Sequence, residues 1–309
     1  MRLRSYIINN WGERREARSE ERQAKGRKAS SFLPFAFCLL PFFLCVFALK
    51  IFPQKIAVIT PENNPHSEKI ASQFAEKFKA VDADLVEMAV KSQPIENIFN
   101  LSTEEAKTLG NAIGCDFFIL LKSENLRRTS FAKPLYFESY IVVYLVSSRT
   151  GRLAFWTLKN FESETANVAD KQLFSSLDNL ANEISLKIKK AQETEIKESP
   201  PPDLEELPKE NSPEAKNFKS PLPYARHVPV YKRLANLYSI AATVDATIDL
   251  DENGKITRIE ITRWAGYDLD ESVKEAINRM NWRPASRDGK TLPIRVLLRY
   301  NFKKVEKVE

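Results

Sequence analysis

Residues 240–264 read IAATVDATIDLDENGKITRIEITRW, in which two runs rich in β-branched residues flank the tetrapeptide DENG at 251–254. Asn-Gly is the strongest short-range signal for a tight turn between antiparallel strands, because both of its residues tolerate a positive φ. The stretch therefore predicts a β-hairpin with strands over residues 240–250 and 255–264. The apolar alternation breaks between the two strands, which predicts a β-bulge.

A helix and a last strand follow this hairpin. Asp268 with Glu271 three residues later has the pattern of a capping box, and Pro284 is expected to stop the helix. The predicted buried stripe of the helix consists of Leu269, Val273, Ala276, Ile277 and Met280. The last strand, residues 293–302, alternates between two faces. One face carries Ile294, Val296, Leu298, Tyr300 and Phe302, and the other carries Arg295, Leu297, Arg299 and Asn301.

An apolar run of 21 residues without a charge, 29–49, stands near the start of the chain. As a helix it would cross the roughly 30 Å hydrocarbon layer, so it predicts a single transmembrane helix. Residues 1–28 hold nine basic and four acidic side chains. The positive-inside rule therefore places this tail in the cytoplasm and the chain after the helix in the periplasm, as in a single-pass protein of the bacterial inner membrane. A cleaved signal peptide is the alternative, although the run is long for one.

The composition argues against several classes of function. The formal charge of +6 comes almost entirely from residues 1–28, so we expect no basic domain face and no nucleic-acid binding. Three cysteines and two histidines are too few and too dispersed for a disulfide framework or a Cys/His metal cluster. The sequence also shows no matched nucleophile, base and orienting residue. We therefore predict a protein that is not an enzyme and needs no cofactor.

Residues 191–223 contain 7 of the 17 prolines, together with eight acidic residues and four lysines. This composition predicts an extended linker whose reach approaches about 100 Å at roughly 3.1 Å per residue. The linker divides the chain beyond the apolar run into two domains, over residues 54–190 and 224–309.

The first of these domains combines strands and helices. Strands are predicted over 55–60, 84–90, 115–121 and, as a hairpin, 136–161. Helices are predicted around Ile70, from a capping box at Ser102 to Gly110 or Gly114, and along Leu173–Ile188. The predicted fold class is α+β. It comprises a mixed sheet covered by helices, the linker, and a small two-layer C-terminal domain with an antiparallel sheet.

Several polar residues are interpreted as structural. His66 and His227 have proline residues close by in the sequence and are expected to be solvated loop histidines. Asp249 and Asp251 lie beside the Asn-Gly turn, so they are expected to be turn residues.

The C-terminal region resembles the TonB carboxy-terminal domain over residues 222–303. The segments that carry the resemblance are NGKIT at 253–257, WRPA at 282–285, DGK at 288–290 and YNF at 300–302. Tyr224 with its preceding proline resembles the Tyr-Pro segment that leads into that domain. The resemblance implies that a partner's extended peptide adds to the last strand at a sheet edge. The residues expected to bind the partner are Pro293, Arg295, Leu297, Arg299, Asn301 and Tyr224.

Residues 54–190 resemble, by pattern alone, the small α/β domain of periplasmic envelope factors. Examples of such factors are the amino-terminal domain of TolB and the lipoprotein activators of peptidoglycan synthases. The resemblance is carried by KIAVI at 55–59 and AKTLGNAIGCDFFIL at 106–120. It transfers no functional residue.

Together these resemblances imply a docking protein of the inner membrane whose partner is an outer-membrane receptor or another envelope protein. In TonB-like energy transducers a histidine of the anchor helix engages the ExbB and ExbD motor. Residues 29–49 contain no histidine, so docking is better supported than motor coupling. Two alternatives stay open: a static adaptor that binds a cell-wall enzyme or lipoprotein, and an edge strand covered by a second copy in a homodimer.

Overall fold

The computed structural model describes residues 54–61, 64–209 and 211–303. The predicted cytoplasmic tail (1–28) and transmembrane helix (29–49) lie outside these residues. Among the described helices, none combines the length and the apolar composition needed to cross a membrane. These described residues form one compact unit.

The N-terminal part of this unit is a four-stranded mixed sheet with helices packed on it. Its elements are β1 (Ile56–Ile59), α1 (Pro65–Phe78), α2 (Ala83–Lys91), α3 (Thr103–Ile113), β2 (Phe117–Arg128), β3 (Tyr136–Ser147), β4 (Leu153–Ser163) and α4 (Ala166–Lys197). The strand order is β1-β2-β3-β4, with β1 parallel to β2 and the other pairs antiparallel. The mixed sheet, the Ser102 capping box and the closing helix with its buried stripe are confirmed.

The strand predicted over residues 84–90 is wrong, because Ala83–Lys91 form helix α2. Asp82 caps this helix with a carboxylate that accepts two backbone N–H groups of the first turn. Val86 is buried whereas Met88 is 68% exposed, and two residues of that spacing would share one face of a strand. A run this short and this apolar does not distinguish the two periods.

The C-terminal part consists of three small antiparallel sheets and one main helix. Its elements are β5 (Phe218–Lys219), β6 (Leu222–Pro223), α5 (Arg233–Leu237), β7 (Ala242–Leu250), β8 (Ile256–Arg263), α6 (Leu269–Asn278), β9 (Trp282–Arg283), β10 (Ala285–Arg287), β11 (Lys290–Leu292) and β12 (Ile294–Phe302). The sheets have the orders β12-β7-β8, β11-β10-β5 and β6-β9. The predicted antiparallel sheet is confirmed, and α6 ends before Pro284.

The β7–β8 hairpin confirms the predicted bulge, since its register shifts after Asp245 and again after Asp249. The expected pair of positive φ angles is wrong, because in the Asn-Gly dipeptide only Gly254 has one, at 79°. Asp251 holds the turn instead, with Oδ1 accepting the backbone N–H of Asn253 at 2.9 Å. A Cβ at Gly254 would lie 2.3 Å from a neighbouring carbonyl oxygen, so the turn requires glycine there.

The capping box predicted at Asp268 and Glu271 is also wrong. Asp268 has a left-handed backbone with φ 61°, and its side chain makes no cap hydrogen bond. The carboxylate of Asp270 accepts the backbone N–H groups of Ala265 and Gly266 instead, each at 2.9 Å. The loop before α6 therefore folds back over the first helical turn and buries this carboxyl group.

Burial raises the pKa of Asp270 from its ordinary value of 3.8 to about 6. Between pH 4 and 6 the folded state therefore binds more protons than the unfolded state, so the free energy of unfolding falls as pH rises through this window. The loss attributable to Asp270 is about 3 kcal/mol in total and is complete at about pH 7, one unit above the folded-state pKa. We expect the free energy of unfolding to fall less between pH 4 and pH 7 in Asp270→Asn than in the wild type, as measured by urea titration at each pH. The same fall in the wild type and in Asp270→Asn would contradict the raised pKa of Asp270.

Residues 191–223 do not form an extended spacer. Helix α4 continues to Lys197, because residues 191–197 favour helix and the first proline comes only at Pro200. Farther on, β5 pairs with β10 and β6 pairs with β9, so both ends of the segment belong to folded structure.

Residues from both predicted domains enter one hydrophobic core. Tyr144 from the N-terminal part packs against Trp264 from the C-terminal part, with ring centroids 5.7 Å apart, and Val244 belongs to the same cluster. Asn100 ties the two parts together through its side chain. Its Nδ2 donates to the carbonyl oxygens of Thr243 and Trp264, each at 2.7 Å, and its Oδ1 accepts the N–H of Thr243 at 2.9 Å.

Candidate partner-binding edge

Strand β12 lies at the edge of the sheet β12-β7-β8. It pairs antiparallel with β7 over its whole length, from Ile294 opposite Leu250 to Phe302 opposite Ala242. Ile294, Val296 and Phe302 are buried, as the predicted alternation requires. Because the pairing continues without a shift along the whole strand, it fixes which residues of β12 face the core and which face outward.

Two guanidinium–carboxylate pairs fasten β12 to β7. Arg295 donates from Nε and Nη2 to the two carboxylate oxygens of Asp249, at 2.7 and 2.9 Å. Arg299 binds Asp245 in the same way, at 2.7 and 2.8 Å. These hydrogen bonds raise the pKa of both arginines. Asp249 is therefore a buried strand residue, and its interpretation as a turn residue was wrong because its side chain faces a cross-strand arginine and not the turn.

The backbone of β12 offers hydrogen-bonding groups on its outer side. The N–H of Arg295 points away from β7, because it donates to the carbonyl oxygen of Glu205 at 2.8 Å. Backbone groups alternate sides along a strand, so those of Leu297, Arg299 and Asn301 point outward as well. Among the described residues, no backbone hydrogen bond to these three comes from the outer side. The side chain of Leu297 is 55% exposed beside them.

The structure brings four of the six predicted site residues together on this edge: Arg295, Leu297, Arg299 and Asn301. Pro293 lies directly before β12 and contributes no backbone N–H. Tyr224 lies elsewhere, beside the β6–β9 pair, where its N–H donates to the carbonyl oxygen of Asn281 at 2.8 Å. Its ring is 74% exposed. Tyr224 therefore lies beside the β6–β9 pair and is not part of strand β12.

Sequence reasoning missed the residues that cover the start of the edge. Glu205 and Glu206 lie in the segment predicted as linker, and Glu206 forms a parallel β-bridge with Arg295. Arg287 of β10 forms an ion pair with Glu205. A proline-rich acidic segment shows no apolar periodicity, so no sequence signal indicates that it pairs with a strand.

His66 is not a solvated loop residue. It lies in the first turn of α1, with Nδ1 2.8 Å from Oγ of Ser123 and Nε2 3.0 Å from Oδ1 of Asp170. Serine, histidine and aspartate are the residue types of a nucleophilic triad. Here Ser123 is fully buried, and its hydroxyl donates to the carbonyl oxygen of Tyr140 at 2.5 Å. The cluster joins α1 and α4 to the sheet. His227 is exposed, as expected.

The family model for the C-terminal domain of the Gram-negative bacterial TonB protein matches residues 227–303. The chain carries a TonB C-terminal domain. This TonB domain contains the β7–β8 hairpin, α6 and the whole of β12, so the predicted TonB C-terminal domain is confirmed for residues 227–303. Tyr224 and the Glu205 contact precede the matched residues.

Several solved structures are similar to parts of the chain. The TonB C-terminal domain of Pseudomonas aeruginosa is 22% identical, with a TM-score of 0.25, over 32% of this chain and 95% of that one. A lipoprotein from Neisseria meningitidis is 16% identical, with a TM-score of 0.30, over 42% and 99%. The LpoB C-terminal domain from Salmonella enterica is 11% identical, with a TM-score of 0.22, over 36% and 79%. No curated protein matches the chain.

Proposed function

We propose that this protein docks an envelope partner by adding the partner's extended segment to the outer side of β12. The supporting observation is the row of outward backbone groups at Leu297, Arg299 and Asn301, on a strand that lies at a sheet edge within a TonB domain. Main-chain hydrogen bonds would supply affinity, and alternate side chains would set the register. The protein acts as a binding module and not as an enzyme.

The proposed setting is the bacterial envelope, because TonB C-terminal domains bind envelope or outer-membrane partners. The apolar run at 29–49 would anchor the chain in the inner membrane, with the described residues in the periplasm. Coupling to an ExbB and ExbD type motor is not part of the proposal, since that run lacks a histidine.

A second candidate function is a static adaptor. It is favoured by the core that the N-terminal part shares with the TonB domain, because residues 54–190 then sit beside the docking strand instead of serving as a distant module. In this case the N-terminal part would bind a cell-wall enzyme or envelope lipoprotein, and the TonB domain would supply only a second contact.

Photo-crosslinking in the native envelope separates the two candidates. The probe replaces Leu297, whose side chain is exposed and lies beside the outward backbone groups. A matched control probe replaces Leu186, which is 67% exposed on α4. We expect capture of an outer-membrane β-barrel from position 297 and not from position 186. Capture of only a second copy of this chain, or of only a cell-wall factor, would overturn docking to an outer-membrane receptor. Capture of a cell-wall factor would favour the adaptor.

A further inference from the structure

The first position of the β12 edge is occupied by the chain itself. The carbonyl oxygen of Glu205 accepts the outward N–H of Arg295 at 2.8 Å, and Glu206 forms the parallel bridge beside it. This is the geometry of an added strand that has paired at one position only. Farther along β12, the outward backbone groups of Leu297, Arg299 and Asn301 form the rest of the edge.

Two further contacts hold the segment 202–206 in this register. Arg287 donates from Nη1 to the carboxylate of Glu205 at 3.1 Å, and its Nη2 also bonds that carboxylate. Arg295 donates from Nη2 to the carbonyl oxygen of Pro202 at 3.1 Å. The segment is thus bound by a backbone hydrogen bond, an ion pair and a guanidinium–carbonyl bond, contributed by β10 and β12.

We propose that residues 202–206 are an internal competitor strand, which occupies the start of the β12 edge until a partner strand displaces it. The inference rests on the proposed docking function. Because the segment is tethered close to the edge, its effective concentration is on the order of millimolar, and a partner must outcompete it. Covering the start of the edge also limits unspecific pairing with other strands.

The displaced contacts define the chemistry of a fitting partner. Release of Glu205 leaves the Arg287 guanidinium without its carboxylate. A partner strand with an acidic side chain at the matching position restores this ion pair and therefore competes best. The fitting partner is an extended segment with a carboxylate near the point where it meets Arg295.

Amide hydrogen exchange by NMR on the full chain in detergent tests the occupied edge. In the wild type we expect the Arg295 amide to exchange more slowly than those of Leu297, Arg299 and Asn301. Glu205→Lys should speed exchange at Arg295 roughly two- to fivefold, since it breaks a partly exposed ion pair. Asp203→Lys makes the same charge change two residues away, at an exposed position, and should leave Arg295 unchanged. Exchange at Arg295 as fast as at Leu297 in the wild type would overturn the proposal.

Crosslinking from position 297 then separates the competitor from the docking function. We expect Glu205→Lys to raise partner capture two- to fivefold over the wild type and over Asp203→Lys. Equal capture by all three proteins would overturn competition while leaving docking intact. A protected Arg295 amide with no capture by any of them would overturn the docking function instead.

Discussion

Trp264→Ala should reduce the free energy of unfolding by about 3–5 kcal/mol, the range for truncating a buried tryptophan. The side chain is 2% exposed, its ring packs on Tyr144, and its Nε1 donates to the carbonyl oxygen of Gly151 at 3.1 Å. Truncation therefore opens a cavity between the N-terminal part and the TonB domain and leaves a buried carbonyl without its donor. Urea unfolding of the full chain in detergent, followed by circular dichroism, measures the change.

Tyr224→Ala is the matched control, because that ring is 74% exposed and its loss should stay within about 0.5 kcal/mol. The shared core also predicts one cooperative transition for the wild type. Two separate transitions, or a Trp264→Ala effect no larger than that of Tyr224→Ala, would show that the two parts fold independently.

Arg295→Met should reduce the free energy of unfolding by about 3–5 kcal/mol, because it leaves a buried carboxylate without its partner. The side chain of Asp249 is only 2% exposed, and among the described residues its two carboxylate oxygens are bonded by Arg295 alone. The same urea titration measures this effect.

Arg299→Met is the control for that substitution. Arg299 is 59% exposed, and its partner Asp245 keeps a second cation, Arg263, at 3.6 Å. Its loss should therefore cost less than the loss of Arg295. Combining Arg295→Met with Asp249→Leu should recover most of the stability, since both charges are then gone. A double variant no better than Arg295→Met would argue against an unpaired charge as the cause.

Much of the TonB domain could be predicted from the sequence because its signals are local. The Asn-Gly turn and the alternation of residues 293–302 each depend on neighbouring residues, and both led to the correct strands. The capping box at Ser102 is of the same kind. The wrong capping prediction at Asp268 shows where local signals fail. The carboxylate of Asp270 accepts N–H groups from the loop before α6, and this contact forms only when that loop folds back over the helix.

The candidate site could be predicted in part, because the alternation of residues along a strand is also a local signal. Alternation put Arg295 and Arg299 on one face, but nothing local pairs them with aspartates of β7. The contact between Glu205 and the edge joins positions 90 residues apart in sequence. Composition alone suggested an extended linker, because it does not report contacts that depend on the far end of the chain.

The pairing of β12 also has a mechanical consequence. A partner strand pulled along the direction of β12 would load the β12–β7 contact in shear, so that its hydrogen bonds resist together instead of opening one after another. The guanidinium–carboxylate pairs at Arg295 and Arg299 lie along the same line of load. Strand β12 is therefore suited to stay paired with β7 under tension along its axis. A pull perpendicular to β12 would instead open its hydrogen bonds one after another from one end.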